Sequence, residues 1–143
     1  MISLNNYSFS TVKIGTCEEF STEITKEKMK TFLELTGDCN PMHTDEKYAL
    51  RKGYEGRLVY GMLASSYYSP LVGVYLPGEK CLLNKCDITY KKPVDIGDVL
   101  TIYGKVVDVR ESTHRIKIKG KMTNQKGEVV NNAEITVSFT TID

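Results

Sequence analysis

The sequence predicts an α+β domain in which an antiparallel β-sheet wraps around a long central helix, and three features carry that prediction. From Leu58 to Gly78 no residue is charged, which suits a helix buried on nearly all sides. After Leu76-Pro77-Gly78, four segments rich in Val, Ile, Thr and Tyr run to the end of the chain with short breaks between them. Successive strands with short connections pair antiparallel and need one face covered by something apolar, and the uncharged helix is the adequate candidate. With 143 residues, 41% hydrophobic and 26% charged, residues 1–143 read as a single domain able to bury a real core, without repeat, linker or low-complexity run.

Residues 7–24 read as short strands interrupted at Gly15. The period then changes. Met29, Phe32, Leu33 and Thr36 follow helical spacing, Thr25 suits the N-cap, and Gly37 suits a left-handed C-terminal stop. Asp38 thus begins the loop that leaves this helix. Thr44, Asp45 and Glu46 suit the start of a short second helix running through Arg51 and ended by Gly53, with His43 at its entrance. A loop over 54–60 leads to the uncharged helix, whose N-terminus falls near Gly61. Pro70 interrupts that helix, so it either kinks or ends there. Strands are expected near 80–92, 98–110, 113–123 and 128–141, with Ile116 and Ile118 alternating with Lys117 and Lys119.

Charge excludes some functions. Nineteen Lys and Arg against 18 acids give net +1, so no overall field points to nucleic acid or an anionic membrane as partner. The uncharged run approaches the length of a membrane span, yet Ser65, Ser66, Ser69 and Pro70 interrupt it, and a buried soluble helix is expected instead. Cys17, Cys39, Cys81 and Cys86 form no Cys-x-x-Cys pair and meet no His at zinc spacing. Free thiols in a reducing cytoplasm are expected, with no metal site. The start, MISLNNYSFS, lacks a basic region followed by an apolar run, so no signal peptide is expected.

The chemistry concentrates in Asp38-Cys39-Asn40-Pro41-Met42-His43, which sets a carboxylate and one of two histidines five residues apart across a turn. Such a pair can bind and polarise one water, because histidine exchanges a proton near neutrality. The same residues also serve as ordinary turn formers, with Asp and Asn bonding to nearby amides.

Three signatures in order carry a resemblance along nearly the whole chain: FLELTGDCNPMHTDEKYA, GRLVYGMLASS and YKKPVDIGDVL. They resemble the MaoC-like (R)-specific enoyl-CoA hydratases and (3R)-hydroxyacyl dehydratases of the hot-dog fold. The resemblance implies an acyl-thioester pocket near the interface of a homodimer, with coenzyme A or an acyl carrier protein bearing the substrate and no metal or organic cofactor. It implies Asp38 and His43 as the catalytic pair, Asn40 as shaping their loop, Ser66 as a helix serine near the site, and Gly61 as the position whose amide binds the thioester carbonyl. Helix-start amides are ready donors to a developing enolate oxygen, and glycine allows close approach. Where the family often has histidine before that glycine, this chain has Tyr60, whose hydroxyl can bond locally.

Other residues carry weaker signals. Met62, Leu63, Tyr67 and Leu71 are candidates for the acyl cavity, though such spacing is also that of plain core. Lys85, Lys91 and Lys92 are candidates for coenzyme A phosphates or an acidic carrier protein. His114 is expected on a solvated strand face, and Cys39 is expected to be a bystander. Two other readings compete with hydration: a hot-dog thioesterase, and a non-catalytic acyl-binding subunit.

Overall fold

Five strands form one antiparallel sheet in the order β1-β3-β4-β5-β2: β1 Cys17–Glu23, β2 Cys81–Tyr90, β3 Val99–Arg110, β4 Arg115–Thr123 and β5 Val129–Phe139. The structure is a computed structural model and describes residues 3–142. The four strands expected after residue 78 are all present. In β4 the alternation is complete: Ile116, Ile118, Gly120 and Met122 are buried while Arg115, Lys117, Lys119 and Lys121 face water. Register shifts at Leu83/Lys85 in β2 and Val106/Asp108 in β3 mark bulges, which bend strands and increase twist. The sheet therefore curls, and its inner face holds Leu100, Ile102, Val106, Ile135 and Val137.

The central element is a broken rod, which corrects the expectation of one long helix. It comprises α4 Gly61–Ser65, α5 Tyr68–Pro70 and a π-helical turn over Leu71–Tyr75. Proline is the reason for one break. Pro70 has no amide to offer the Ser66 carbonyl, which instead accepts from Ser69 N at 2.9 Å. Beyond it the turn widens, and Leu76 N reaches the Leu71 carbonyl at 2.8 Å.

The rod lies against the sheet where the sheet is bare. Gly104 pairs with Gly120, and Gly120 with Ala133, so three small residues form a row across β3, β4 and β5. A Cβ on Gly104 would stand 2.9 Å from Leu71 Cδ2, and one on Gly120 would stand 2.6 Å from Tyr68 Cε1. Tyr68 is buried, and its hydroxyl donates to Asn131 Oδ1 on β5 at 2.6 Å.

Helix α1, Lys26–Thr36, has the expected caps. Thr25 accepts from Lys28 N at 3.2 Å, and Gly37 turns left-handed at φ 74° with its amide on the Leu33 carbonyl. The N-terminal expectation fails in part. Only Cys17–Glu23 forms a strand, because residues 8–11 fold into a turn in which Ser8 and Thr11 bond each other and their own backbone. The segment before it is tied down by Asn5 N on the Val74 carbonyl and Tyr7 N on the Pro77 carbonyl. Tyr7 Oη also donates to Glu18 Oε1 at 2.6 Å.

Two outcomes are expected. Gly120→Ala should lower unfolding free energy by about 1–3 kcal/mol in urea titrations, the usual cost of overpacking, since Tyr68 cannot withdraw without losing Asn131. The bond to Glu18, with burial, pushes the Tyr7 phenol from its ordinary 10.0 up to about 12. The unfolded chain therefore releases this proton first. Tyr7 stabilises the fold fully below pH 10, and that contribution is lost as pH rises through 12. Tyr7→Phe should show a flatter decline in urea midpoint across that window.

Candidate active site

The turn after α1 is built by its own polar side chains. Asp38 Oδ1 accepts from Asn40 N at 3.1 Å, and Asn40 Oδ1 accepts from Met42 N at 2.9 Å. Asn40 thereby caps a one-turn helix, α2 Pro41–Thr44, with Pro41 in its first turn. This corrects one expectation and bears out another. The Asn-Pro step starts a helix, so His43 lies within α2, and the following helix α3, Glu46–Arg51, is capped by Asp45.

His43 is held from two sides. Its Nδ1 lies 2.8 Å from the Leu58 carbonyl; a carbonyl only accepts, so Nδ1–H donates there and Nε2 is the nitrogen turned away from that bond. Leu58 is itself fixed, its amide on the Met42 carbonyl at 3.1 Å and its backbone paired with Asp95 in an isolated antiparallel bridge. The imidazole also packs on Tyr60, with ring centroids 4.3 Å apart, and Tyr60 in turn packs on Phe32 of α1 at 4.8 Å.

Tyr60 links the two catalytic candidates. It is 2% exposed, and its hydroxyl donates to the Asp38 carbonyl at 2.7 Å. Burial and the nearby Asp38 charge both raise its pKa, with Arg57 opposing, so the phenol stays a donor. One side chain thus braces the Asp38 loop and backs the His43 ring, filling the place where the resemblance leads one to expect histidine.

Asp38, His43 and Gly61 line one cavity of about 280 Å³, together with Phe32, Tyr60 and Tyr90. A second compartment of about 330 Å³ shares His43, Gly61 and Tyr90 with it and is otherwise mostly apolar. Gly61 opens α4, and its missing side chain has a steric reason: a Cβ there would meet the Tyr90 ring at 3.2 Å. Tyr90 Oη and Ser65 Oγ share a 2.8 Å hydrogen bond. A carboxylate, an imidazole with a free Nε2 and a helix-start glycine facing one cavity can hold a water beside a polarised carbonyl.

The remaining candidates are placed as follows. Asn40 is the cap just described and lines neither compartment. Ser66 gives its hydroxyl to the Leu63 carbonyl at 2.6 Å and lines neither compartment. Ser65, one position earlier, is the serine that reaches the cavity wall. Of the proposed acyl lining, Met62 faces the first compartment, Leu63 and Leu71 are core, and Tyr67 packs on Phe20. Lys91 and Lys92 border the second compartment, with Lys92 paired to Glu128, whereas Lys85 lies on the outer sheet face. His114 is exposed, but it turns left-handed just before β4 and packs edge-on to Phe9. Cys39 is exposed, and burial pushes the Cys81 thiol up to about 11. Among the described residues no cluster of three or more His, Cys, Asp or Glu is placed to hold a metal, and no helix is long and apolar enough to cross a membrane. Tyr90, Ser65, Leu58 and Phe32 were not singled out from sequence. Tyr90 lies inside the YKKPVDIGDVL signature, the one signal that marked it.

Comparison with known proteins identifies the family of the fold. The (R)-specific enoyl-CoA hydratase of Aeromonas caviae is 28% identical over 132 residues, covering 92% of this chain and 98% of that protein. The mitochondrial 3-hydroxyacyl-[acyl-carrier-protein] dehydratase of Arabidopsis thaliana is 30% identical over 118 residues, covering 78% and 70%. The solved (R)-hydratase from A. caviae involved in PHA biosynthesis superposes with a TM-score of 0.87 at 27% identity, over 90% of this chain and 98% of that one. The model of the MaoC like domain matches residues 11–140. With that match spanning nearly its whole length, and with its fold shared by the solved (R)-hydratase, this chain belongs to the MaoC-like domain family.

Proposed function

We propose that this protein is a hydro-lyase that reversibly adds water to trans-2-enoyl thioesters, giving (3R)-hydroxyacyl thioesters. The observation that carries the reading is the single cavity walled by Asp38, His43 and Gly61. Hydration and dehydration are also the named activities of its relatives.

The Gly61 amide and the start of α4 polarise the thioester carbonyl, which draws electron density from the β-carbon. His43 enters neutral, with Nδ1–H on the Leu58 carbonyl and Nε2 facing the reaction. Asp38 and Nε2 hold one water between them. As its oxygen bonds to the β-carbon, Nε2 takes a proton and the carbonyl becomes an enolate. The imidazolium, stabilised by the Asp38 carboxylate, then returns a proton to the α-carbon. One water is consumed and no redox change occurs, so the step calls for no redox cofactor, and in this reading protein groups supply the polarisation. Dehydration runs the same steps in reverse. Asn40 acts on this chemistry through the loop it caps, and Ser66 through the rod.

A homodimer belongs to this reading. Strand β2 leaves one sheet edge unpaired and exposes Leu82 and Leu83 there. Coenzyme A is the first carrier to test, because the A. caviae hydratase matches along almost its full length; an acyl carrier protein is the alternative. Four free thiols suit a reducing compartment such as the cytoplasm.

Mixing the purified protein with crotonyl-CoA should remove the conjugated enoyl absorbance without releasing free thiol. Thiol release would establish hydrolysis instead and overturn the reading. Asp38→Asn and His43→Ala should each lower kcat by about 10²–10⁴-fold, the usual worth of acid–base catalysis, with circular dichroism unchanged. Near-normal turnover in either folded variant would remove the proposed pair. Tyr60→Phe keeps the ring under His43 and deletes the bond to the Asp38 carbonyl, so kcat should fall about tenfold with KM little changed, the signature of a positioning residue.

A further inference from the structure

Tyr90 stands where the two compartments meet. The first, about 280 Å³, holds Asp38 and His43 among Phe32, Tyr60 and Met62. The second, about 330 Å³, is walled mainly by Leu58, Val59, Ala64, Pro93, Val94 and Val130. His43, Gly61 and Tyr90 belong to both. Of these, His43 is held by the Leu58 carbonyl and Gly61 has no side chain, which leaves Tyr90 as the large side chain at their shared border; Lys91, Lys92 and Asn131 also line the second compartment.

Its ring is pinned at two points. One edge rests on Gly61, with Cε1 3.2 Å from where a Cβ would sit. The hydroxyl is tied to Ser65 Oγ at 2.8 Å, and Ser65 is buried on the turn after Gly61. The rest of the residue is 48% exposed, at the end of the unpaired edge strand. A ring held by one hydrogen bond and one contact, with solvent behind it, is a partition that substitution can remove without emptying the core.

We propose that Tyr90, tethered by Ser65, determines the acyl length that the site accepts. The inference rests on the hydratase reading and adds to it a residue that sets specificity. A thioester whose carbonyl lies at the Gly61 amide has its reacting carbons in the first compartment beside His43. A short acyl chain ends there. A longer one must pass the Tyr90 ring to reach the apolar second compartment, where each buried methylene favours binding by roughly fourfold. With the ring in place that gain stops after a short chain; without it the gain continues.

The test compares kcat/KM for trans-2-octenoyl-CoA and crotonyl-CoA in the wild type, Tyr90→Ala, Tyr90→Leu and Ser65→Ala. The octenoyl-to-crotonyl ratio should rise about tenfold or more in Tyr90→Ala, whatever the absolute rates. Tyr90→Leu and Ser65→Ala, one narrowing the wall and one releasing its tether, should shift the ratio in the same direction by less. They also carry the test if the alanine variant fails to fold. An unchanged ratio in the folded variants overturns the proposal. So does an equal rise in KM for both chain lengths, which would put Tyr90 on the side of the carrier. Titration calorimetry with butyryl-CoA and octanoyl-CoA reads the partition separately from turnover. If the wild type hydrates neither enoyl-CoA, coenzyme A is excluded as the carrier and the hydratase reading passes to acyl-carrier-protein substrates. The partition then stands or falls on whether Tyr90→Ala raises affinity for octanoyl-CoA relative to butyryl-CoA; equal affinities, or no binding of either, overturn it.

Discussion

Tyr68 and Leu71 reach the sheet only because Gly120 and Gly104 leave it bare where they land. Side chains normally hold a helix and a sheet well apart, so two paired glycines with Ala133 beside them create a seat that the rest of the inner face, filled with Ile, Val, Leu and Met, cannot offer. The seat fixes the rod in position along β3, β4 and β5. The bond from Tyr68 to Asn131 fixes it in rotation as well, since a buried hydroxyl left without a partner would be costly.

The site inherits that placement. Once the rod is seated, Gly61 must emerge under the Tyr90 ring and Tyr60 must point back toward α1, where Phe32 packs against it. Tyr60 then ties the Asp38 loop to the rod through one hydrogen bond, and His43 lies against the same ring. The Asp38 carboxylate and the imidazole come from an exposed turn, yet their backbone is bound to the buried core at both ends. This is how a loop can hold catalytic geometry: its polar groups satisfy one another locally, and one buried aromatic anchors the whole.

Much of this was legible in the chain. Thr25 and Gly37 bound α1 as their side-chain chemistry requires, and the four later strands follow from β-branched composition and alternation. Asp38 and His43 were marked by type and spacing, and they do line one cavity. Other expectations failed for physical reasons. The segment over residues 8–14 is polar enough at Ser8, Ser10 and Thr11 to satisfy its backbone by itself, and so it turns where a strand was expected. The interruption at Pro70 was legible, but the break after Ser65 and the wider turn beyond Pro70 were not, because hydropathy reports burial and not helix type. The motif was expected only to turn, whereas Pro41, which needs no amide partner in a first turn, opens α2 there.

By itself the sequence determined the class of fold, the curled sheet's alternation and Asp38 and His43 as the candidate pair, since these are marked by residue type and spacing within a few positions. What only the tertiary structure decided is which side chains meet. That Ser65 and not Ser66 reaches Tyr90 is a matter of helix phase, about 100° between neighbours. That Tyr60 braces Asp38 and that Tyr90 divides the cavity depend on contacts between residues more than twenty positions apart. Such contacts are set by how the rod sits on its glycine row, a relation in space that no local pattern encodes.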